Sequence, residues 1–184
     1  MKSLLIADKD QSQLVIVDVQ TKLAGVMPDA ASSVIKQCAI LLQASSLLEI
    51  PQIYTEQYPK GLGNTVPELS AYLTHKKAVE KTAFSCCAEP RFGSRLFSDR
   101  NHVVLAGMEA HICVLQTALD LQAQGKTVFV VEDAVVSRNP QNKANALNRL
   151  RQAGVVITNT ESVVFEWLGK AEGDAFKKIS QLVR

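Results

Sequence analysis

Five short runs are apolar at consecutive rather than alternate positions: residues 14–19, 52–55, 102–106, 127–131 and 155–158. A strand with one wet face alternates, so continuous Val, Ile and Leu runs predict strands covered on both faces, as in a parallel sheet. Residues 78–81 form a weaker sixth candidate, placed because they lie between two helical segments. Between the runs the apolar period lengthens towards 3.6. Over residues 33–50, Val34, Cys38, Leu41, Leu42, Ser45 and Leu48 share one face, with Ser32 or Ser33 as N-cap and Pro51 as terminator. Over residues 112–124, Ile112, Leu115, Leu119 and Gln122 do the same, and Gly125 supplies a left-handed stop. A third helix starts at the Asn139 cap with Pro140 in its first position and runs through Ala144, Leu147 and Leu150 to Gly154. Thr158 and Glu161 form a capping-box pattern ahead of Val163, Val164, Trp167 and Leu168, and a last helix carries Phe176, Ile179 and Leu182.

Strand and helix in strict rotation imply right-handed crossovers, and so a three-layer α/β/α domain. The expected core is a mostly parallel open sheet of about six strands with helices on both faces, in a Rossmann-like topology. No repeat, low-complexity tract or linker divides residues 1–184, which are expected to form a single domain. Residues 58–67, with Gly61, Gly63 and two prolines, have no period and are expected to be a surface loop at the mouth of the sheet.

Composition narrows the function. With 20 Lys and Arg against 18 Asp and Glu, the formal charge is +2, too small for a polyanion-binding surface. The basic clusters, His75 to Lys77, Arg149 with Arg151, and Lys177 with Lys178, are short and separated and read as solvated faces, so no nucleic-acid partner is expected. Cys38, Cys86, Cys87 and Cys113 form no CxxC pair or zinc spacing and read as free thiols of a reducing, cytoplasmic compartment. Asp8 and Asp10 interrupt the N-terminus before a signal-peptide core forms, and no apolar run reaches the roughly 18 residues of a membrane helix.

In an open α/β sheet, ligands sit outside the carboxyl ends of the strands. Asp18 ends the apolar run Leu-Val-Ile-Val, where an ionised carboxylate is costly unless it is paired, functional or capping a loop. Lys81 ends the candidate strand 78–81, either as a solvated flank or as a partner for such a carboxylate. Cys113 opens the helix after the strand 102–106, where the positive helix end favours thiolate; the alternative is a small buried hydrophobe, which suits Cys38 on its helix face. Convergence on one sheet edge favours function. A lysine there lowers the thiol's pKa, and an aspartate takes its proton and passes it to a leaving amine.

These residues lie in an ordered set of segments: Val17-Asp18-Val19-Gln20, residues 55–63, Glu80-Lys81-Thr82-Ala83-Phe84-Ser85, Gly107 to Val114 and Glu132 to Arg138. On that set the chain resembles the isochorismatase-like, or cysteine hydrolase, superfamily, and in particular its isochorismatase domain-containing subgroup. The resemblance covers nearly the whole chain and implies a triad of Asp18, Lys81 and Cys113. It further implies a cis peptide between Met108 and Glu109, and an oxyanion hole of the backbone N–H groups of Glu109 and Cys113. Residues 55–60 lack the histidines with which nicotinamidases of the superfamily hold a metal, so no metal or cofactor is expected. Isochorismatases that cleave a vinyl ether lack the cysteine, so Cys113 points away from that chemistry.

The resulting expectation is a hydrolase of a small amide-like substrate acting through a Cys113 thioester. Gln20, Leu23, Tyr58, Phe84 and His111 are the candidate pocket residues, His111 either lining the pocket or covering the helix start. The alternative is a catalytically idle scaffold that acts through protein interaction or oligomerisation. A dinucleotide-binding reading fails, because Gly61 and Gly63 lack a third glycine and follow the second strand rather than the first. Homo-oligomerisation is expected from the resemblance, with Trp167 and the C-terminal helices as the contact.

Overall fold

The computed structural model describes residues 5–74 and 77–184. The strands are β1 (Ser12–Val17), β2 (Gln52–Gln57), β3 (Val79–Lys81), β4 (His102–Met108), β5 (Thr127–Val136) and β6 (Val156–Thr158). The helices are α1 (Thr21–Gly25), α2 (Pro28–Leu47), α3 (Pro59–Leu62), α4 (Pro67–Ser70), α5 (Pro90–Gly93), α6 (Leu115–Ala123), α7 (Pro140–Gln152), α8 (Thr160–Leu168) and α9 (Gly173–Leu182). A single 3₁₀ turn occupies Cys86–Ala88, and a π-helical turn, Ala110–Val114, precedes α6. All strand pairings are parallel, in the order β3-β2-β1-β4-β5-β6.

Burial on both faces explains the continuous apolar runs. Leu14, Ile16, Val104, Ala106 and Phe129 pack against Val34, Cys38 and Leu41 of α2 and Val163 and Trp167 of α8. Their neighbours Val15, Val17, Val103, Leu105 and Val130 face the other way, against Leu115, Ala118 and Leu121 of α6 and Leu147 and Leu150 of α7. The chain is thus a three-layer α/β/α sandwich, as the runs imply. Among the described residues no helix is long and apolar enough to cross a membrane.

Several local expectations change. The first long helix begins at Pro28, not Ser33, because proline suits a first turn that needs no N–H donor. It ends at Leu47 rather than Ile50, with Glu49 at φ 56° and Ile50 N–H donating to Ser45 O at 2.8 Å. Glu49 holds the left-handed position that glycine prefers, and it is solvent-exposed. Glu49→Gly is therefore expected to raise stability by about 1 kcal/mol, read as a higher urea midpoint.

The capping box at Thr158 is not formed. Thr158 closes β6, and the Asn159 carboxamide caps α8 by accepting from Ser162 N–H at 2.9 Å. Strand β5 continues past Val131 to Val136, since only a register shift opposite Leu105 and Gly107 carries Glu132 and Asp133 outwards. The loop 58–67 folds in part into α3, and Thr65 bridges to Gln20. Trp167 is 1% exposed and donates to Ser12 Oγ at 3.0 Å, so it packs the interior and offers no subunit contact. The cluster at His75 to Lys77 lies outside the described residues for His75 and Lys76. Asn139 and Gly125 behave as expected, the first capping α7 and the second turning left-handed at φ 83° after α6.

Candidate active site

The site is assembled by strand ends. β1 and β4 run side by side up to the pair Val17 and Gly107. A Cβ on Gly107 would lie 2.0 Å from the Val17 carbonyl oxygen, and its φ is +119°, so only glycine lets the two strands close here. Asp18 follows immediately, at φ 50°, and turns its carboxylate out of the β1 line. On the other side, β2 and β3 pair Thr55 with Val79 and Gln57 with Lys81, which sets Thr55 and Lys81 beside Asp18.

Asp18 and Lys81 form an ion pair, Oδ2 to Nζ 2.7 Å, with both side chains fully buried. Asp18 Oδ1 accepts from Thr55 Oγ1 at 2.6 Å. Lys81 Nζ also donates to Gln57 Oε1 at 2.6 Å and to the carbonyls of Phe84 and Ala83 at 3.1 and 3.2 Å. Every proton of the ammonium is therefore engaged. Burial would pull the Lys81 ammonium down, but the contacts of its charged form, the Asp18 carboxylate foremost, outweigh it and Lys81 stays charged, above its ordinary value.

Cys113 sits in the π-helical turn, buried, where the Asp18 carboxylate and the Lys81 ammonium act on its thiol. The expectation of a thiolate is reversed. Burial and then Asp18 push the thiol up to about 12, and Lys81 lowers it only in part. The resting group is a thiol rather than a thiolate. Thiolate absorbance assigned to Cys113, as the ultraviolet difference between wild type and Cys113→Ala, is expected only above about pH 10. A titration midpoint between about pH 6 and 8 would contradict this electrostatic picture.

The peptide between Met108 and Glu109 is cis. The Glu109 carboxylate is nearly buried and bound at both oxygens by one residue: Arg138 N–H at 2.8 Å and Arg138 Nε at 3.1 Å. His111 Nδ1 lies 2.9 Å from Ser137 Oγ and Nε2 3.4 Å from Asn142 Nδ2, so the loop after β5 and the first turn of α7 each hold the turn.

The remaining pocket candidates divide. Tyr58 and Phe84 are about half exposed, and Phe84 stands at the rim through its carbonyl on Lys81. Gln20 is not available to line a pocket. It is fully buried, and its carboxamide holds the backbone of Gln57 and Gly63. Leu23 packs with the core layer of α2, away from the layer that holds Cys113. Thr55, Gln57 and the Glu109 carboxylate with Arg138 were not singled out from the sequence. Their signal was position at the carboxyl ends of β2, β4 and β5.

Cys86 finds a place as well. Its Sγ donates to Thr55 Oγ1 at 3.9 Å, in line with the Thr55 bond to Asp18, while burial raises it to about 11. Cys87, half-buried, donates weakly to the Thr117 carbonyl at 4.0 Å. Among the described residues no group of three or more His, Cys, Asp or Glu is placed to hold a metal ion.

A parallel α/β sheet with a thiol, a carboxylate and an ammonium gathered at its carboxyl edge defines the class. Its family is fixed by comparison with known proteins. The Isochorismatase domain profile matches residues 12–162. Isochorismatase domain-containing protein 2 of Danio rerio is 42% identical over 173 residues, covering 94% of this chain and 86% of its own. Isochorismatase family protein 1B of Dictyostelium discoideum is 34% identical over 180 residues, covering 95% and 87%. The solved structure of the MAR1 ribonuclease from Caenorhabditis elegans superposes with a TM-score of 0.87 at 37% identity, covering 96% of this chain and 91% of that one. The chain belongs to the isochorismatase domain family.

Proposed function

We propose that the chain is a cysteine hydrolase that opens a small amide-like C–N bond through a thioester on Cys113. The observation that carries this reading is the fully buried Lys81–Asp18 pair, 2.7 Å apart, close enough to the buried Cys113 for both charges to act on its thiol. Two charges and a thiol are costly to hold together in a core unless chemistry uses them.

The thiol is protonated at rest, so attack and proton transfer go together. As Sγ bonds to the carbonyl carbon, its proton moves to Asp18, and Lys81 stays protonated to keep that carboxylate ionised until it is needed. The oxygen gains negative charge and is held by the backbone N–H groups of Glu109 and Cys113. Collapse breaks the C–N bond, and the amine leaves with the proton from Asp18. Water then attacks the thioester and gives a proton to Asp18. The C–S bond breaks, the acid departs and the proton returns to sulfur, so amide plus water becomes acid plus amine.

The test is a screen of small amides and ureas, reading ammonia release by wild type and Cys113→Ala. Release by wild type alone supports the reading, and equal release by both overturns it. An RNA arm belongs in the screen, because the C. elegans relative is described as a ribonuclease. RNA cleavage retained in Cys113→Ala would favour that second activity. Homo-oligomerisation is part of the same reading, now resting on the exposed apolar side chains Val26, Tyr72 and Phe165 instead of Trp167. A monomer mass by light scattering would remove it.

A further inference from the structure

We propose a second ligand site, on the sheet face opposite Cys113, that holds a small phosphate monoester carrying hydroxyl groups. This site stands apart from the hydrolase reading, and its test needs no turnover.

At the β3 edge of the sheet, α3 and α5 border a cavity of about 690 Å³, within the usual range of small-molecule sites. Tyr54 and Ala78 belong to the layer packed on α2, whereas Val79 belongs to the layer that holds Cys113. Glu56 and Glu80, paired in register, fall on the Tyr54 side because side chains alternate along a strand. Tyr54 and Glu56 form the floor and are only 7% and 8% exposed. One Glu56 oxygen accepts from the N–H and the hydroxyl of Thr65, at 2.6 and 2.7 Å. The Tyr54 hydroxyl has no hydrogen bond to any described residue, although it lines the cavity. Among the described residues no fully buried side-chain nitrogen or oxygen lacks a partner, so this hydroxyl is not sealed in the core and opens into the cavity. Burial and then Glu56 raise the phenol while Arg95 lowers it, which puts both charges within reach of the hydroxyl.

The rim is cationic. Lys60, Lys77, Arg91 and Arg95 line the cavity, and among the described residues none of them forms an ion pair. Arg95 spends only an Nη1 proton, on the Lys77 carbonyl at 2.7 Å. Four cations face two carboxylates, Glu56 and Glu80, which leaves an excess of two positive charges. A phosphate monoester carries about −1.5 to −2 at neutral pH on three acceptor oxygens, and so matches both the excess and the forked donors of two arginines. A single carboxylate supplies half that charge. The floor selects what the phosphate is attached to. A hydroxyl group can donate to the second Glu56 oxygen or bond to the Tyr54 hydroxyl, whereas an apolar chain would leave both without partners.

The experiment is calorimetric titration at about 50 mM salt, where screening is weak, with glucose 6-phosphate, glucose and inorganic phosphate as probes. Glucose 6-phosphate is expected to bind one to one, at least about tenfold tighter than inorganic phosphate, and glucose to give no saturable heat. Tyr54→Phe keeps the ring and removes the hydroxyl; it is expected to weaken glucose 6-phosphate about fivefold and to leave inorganic phosphate unchanged. Lys77→Gln, at an exposed position, is expected to weaken both about fivefold. Lys60 and Arg91 also line a neighbouring cavity beside Lys81, but Tyr54 and Lys77 do not, so these two variants tell the cavities apart. Absence of saturable glucose 6-phosphate binding would overturn the proposal, as would inorganic phosphate binding as tightly as the ester. Glucose 6-phosphate affinity unchanged in both variants would place the ligand elsewhere and overturn it too.

Discussion

Cys113→Ala is expected to lose at least about 10³-fold in turnover while its melting temperature stays within a few degrees of wild type. The activity loss follows because no second thiol is placed to replace the first. Cys86 is buried and turned to Thr55, Cys87 faces the Thr117 carbonyl, and Cys38 lies in the opposite core layer. The fold persists because alanine removes one buried sulfur from a turn that is held independently by Glu109 with Arg138 and by His111 with Ser137. Steady-state ammonia release and thermal melting check the two halves. Activity within tenfold of wild type would show that the sulfur takes no part in the chemistry, and a collapse of the fold would show that it is structural.

Lys81→Met should act first on stability. The variant leaves Asp18 buried with its charge uncompensated, at an expected cost of about 3–5 kcal/mol. For a chain of this length that lowers the melting temperature on the order of 10 °C. Lys81→Met combined with Asp18→Leu removes both charges, and is expected to recover most of the lost stability while remaining inactive. If the two losses simply add, the pair is not the coupled unit its 2.7 Å geometry describes.

The sheet and the three central residues could be read from the chain because they depend on local patterns. Continuous apolar runs mark strands covered on both faces, and a polar residue ending such a run marks the carboxyl edge. What could not be read depends on neighbours distant in sequence. The protonation of Cys113 is one case: a helix start and a lysine argue for thiolate, yet depth of burial and the charge of Asp18, 95 positions away, decide for thiol. The Glu109 carboxylate is another, since its partner Arg138 comes from the next crossover. Gly107 carries no side chain to draw attention, and its role shows only when β1 and β4 are brought together. The Asp133 carboxylate interrupts an apolar run, and so hides the return of β5 beyond it. Its reason for facing outwards is a pair of bonds to Thr160, at 2.8 and 2.9 Å, that secure the start of α8.

Whether Cys113 carries the acyl group is tested most directly by acid-quenched mass spectrometry of the wild-type protein during turnover of an amide found in the screen. An acyl mass is expected on the peptide containing Cys113, absent from Cys113→Ala and lost on a chase without substrate. Turnover at full rate with no adduct on that peptide, or with an adduct on Cys86 or Cys87, would contradict a thioester on Cys113.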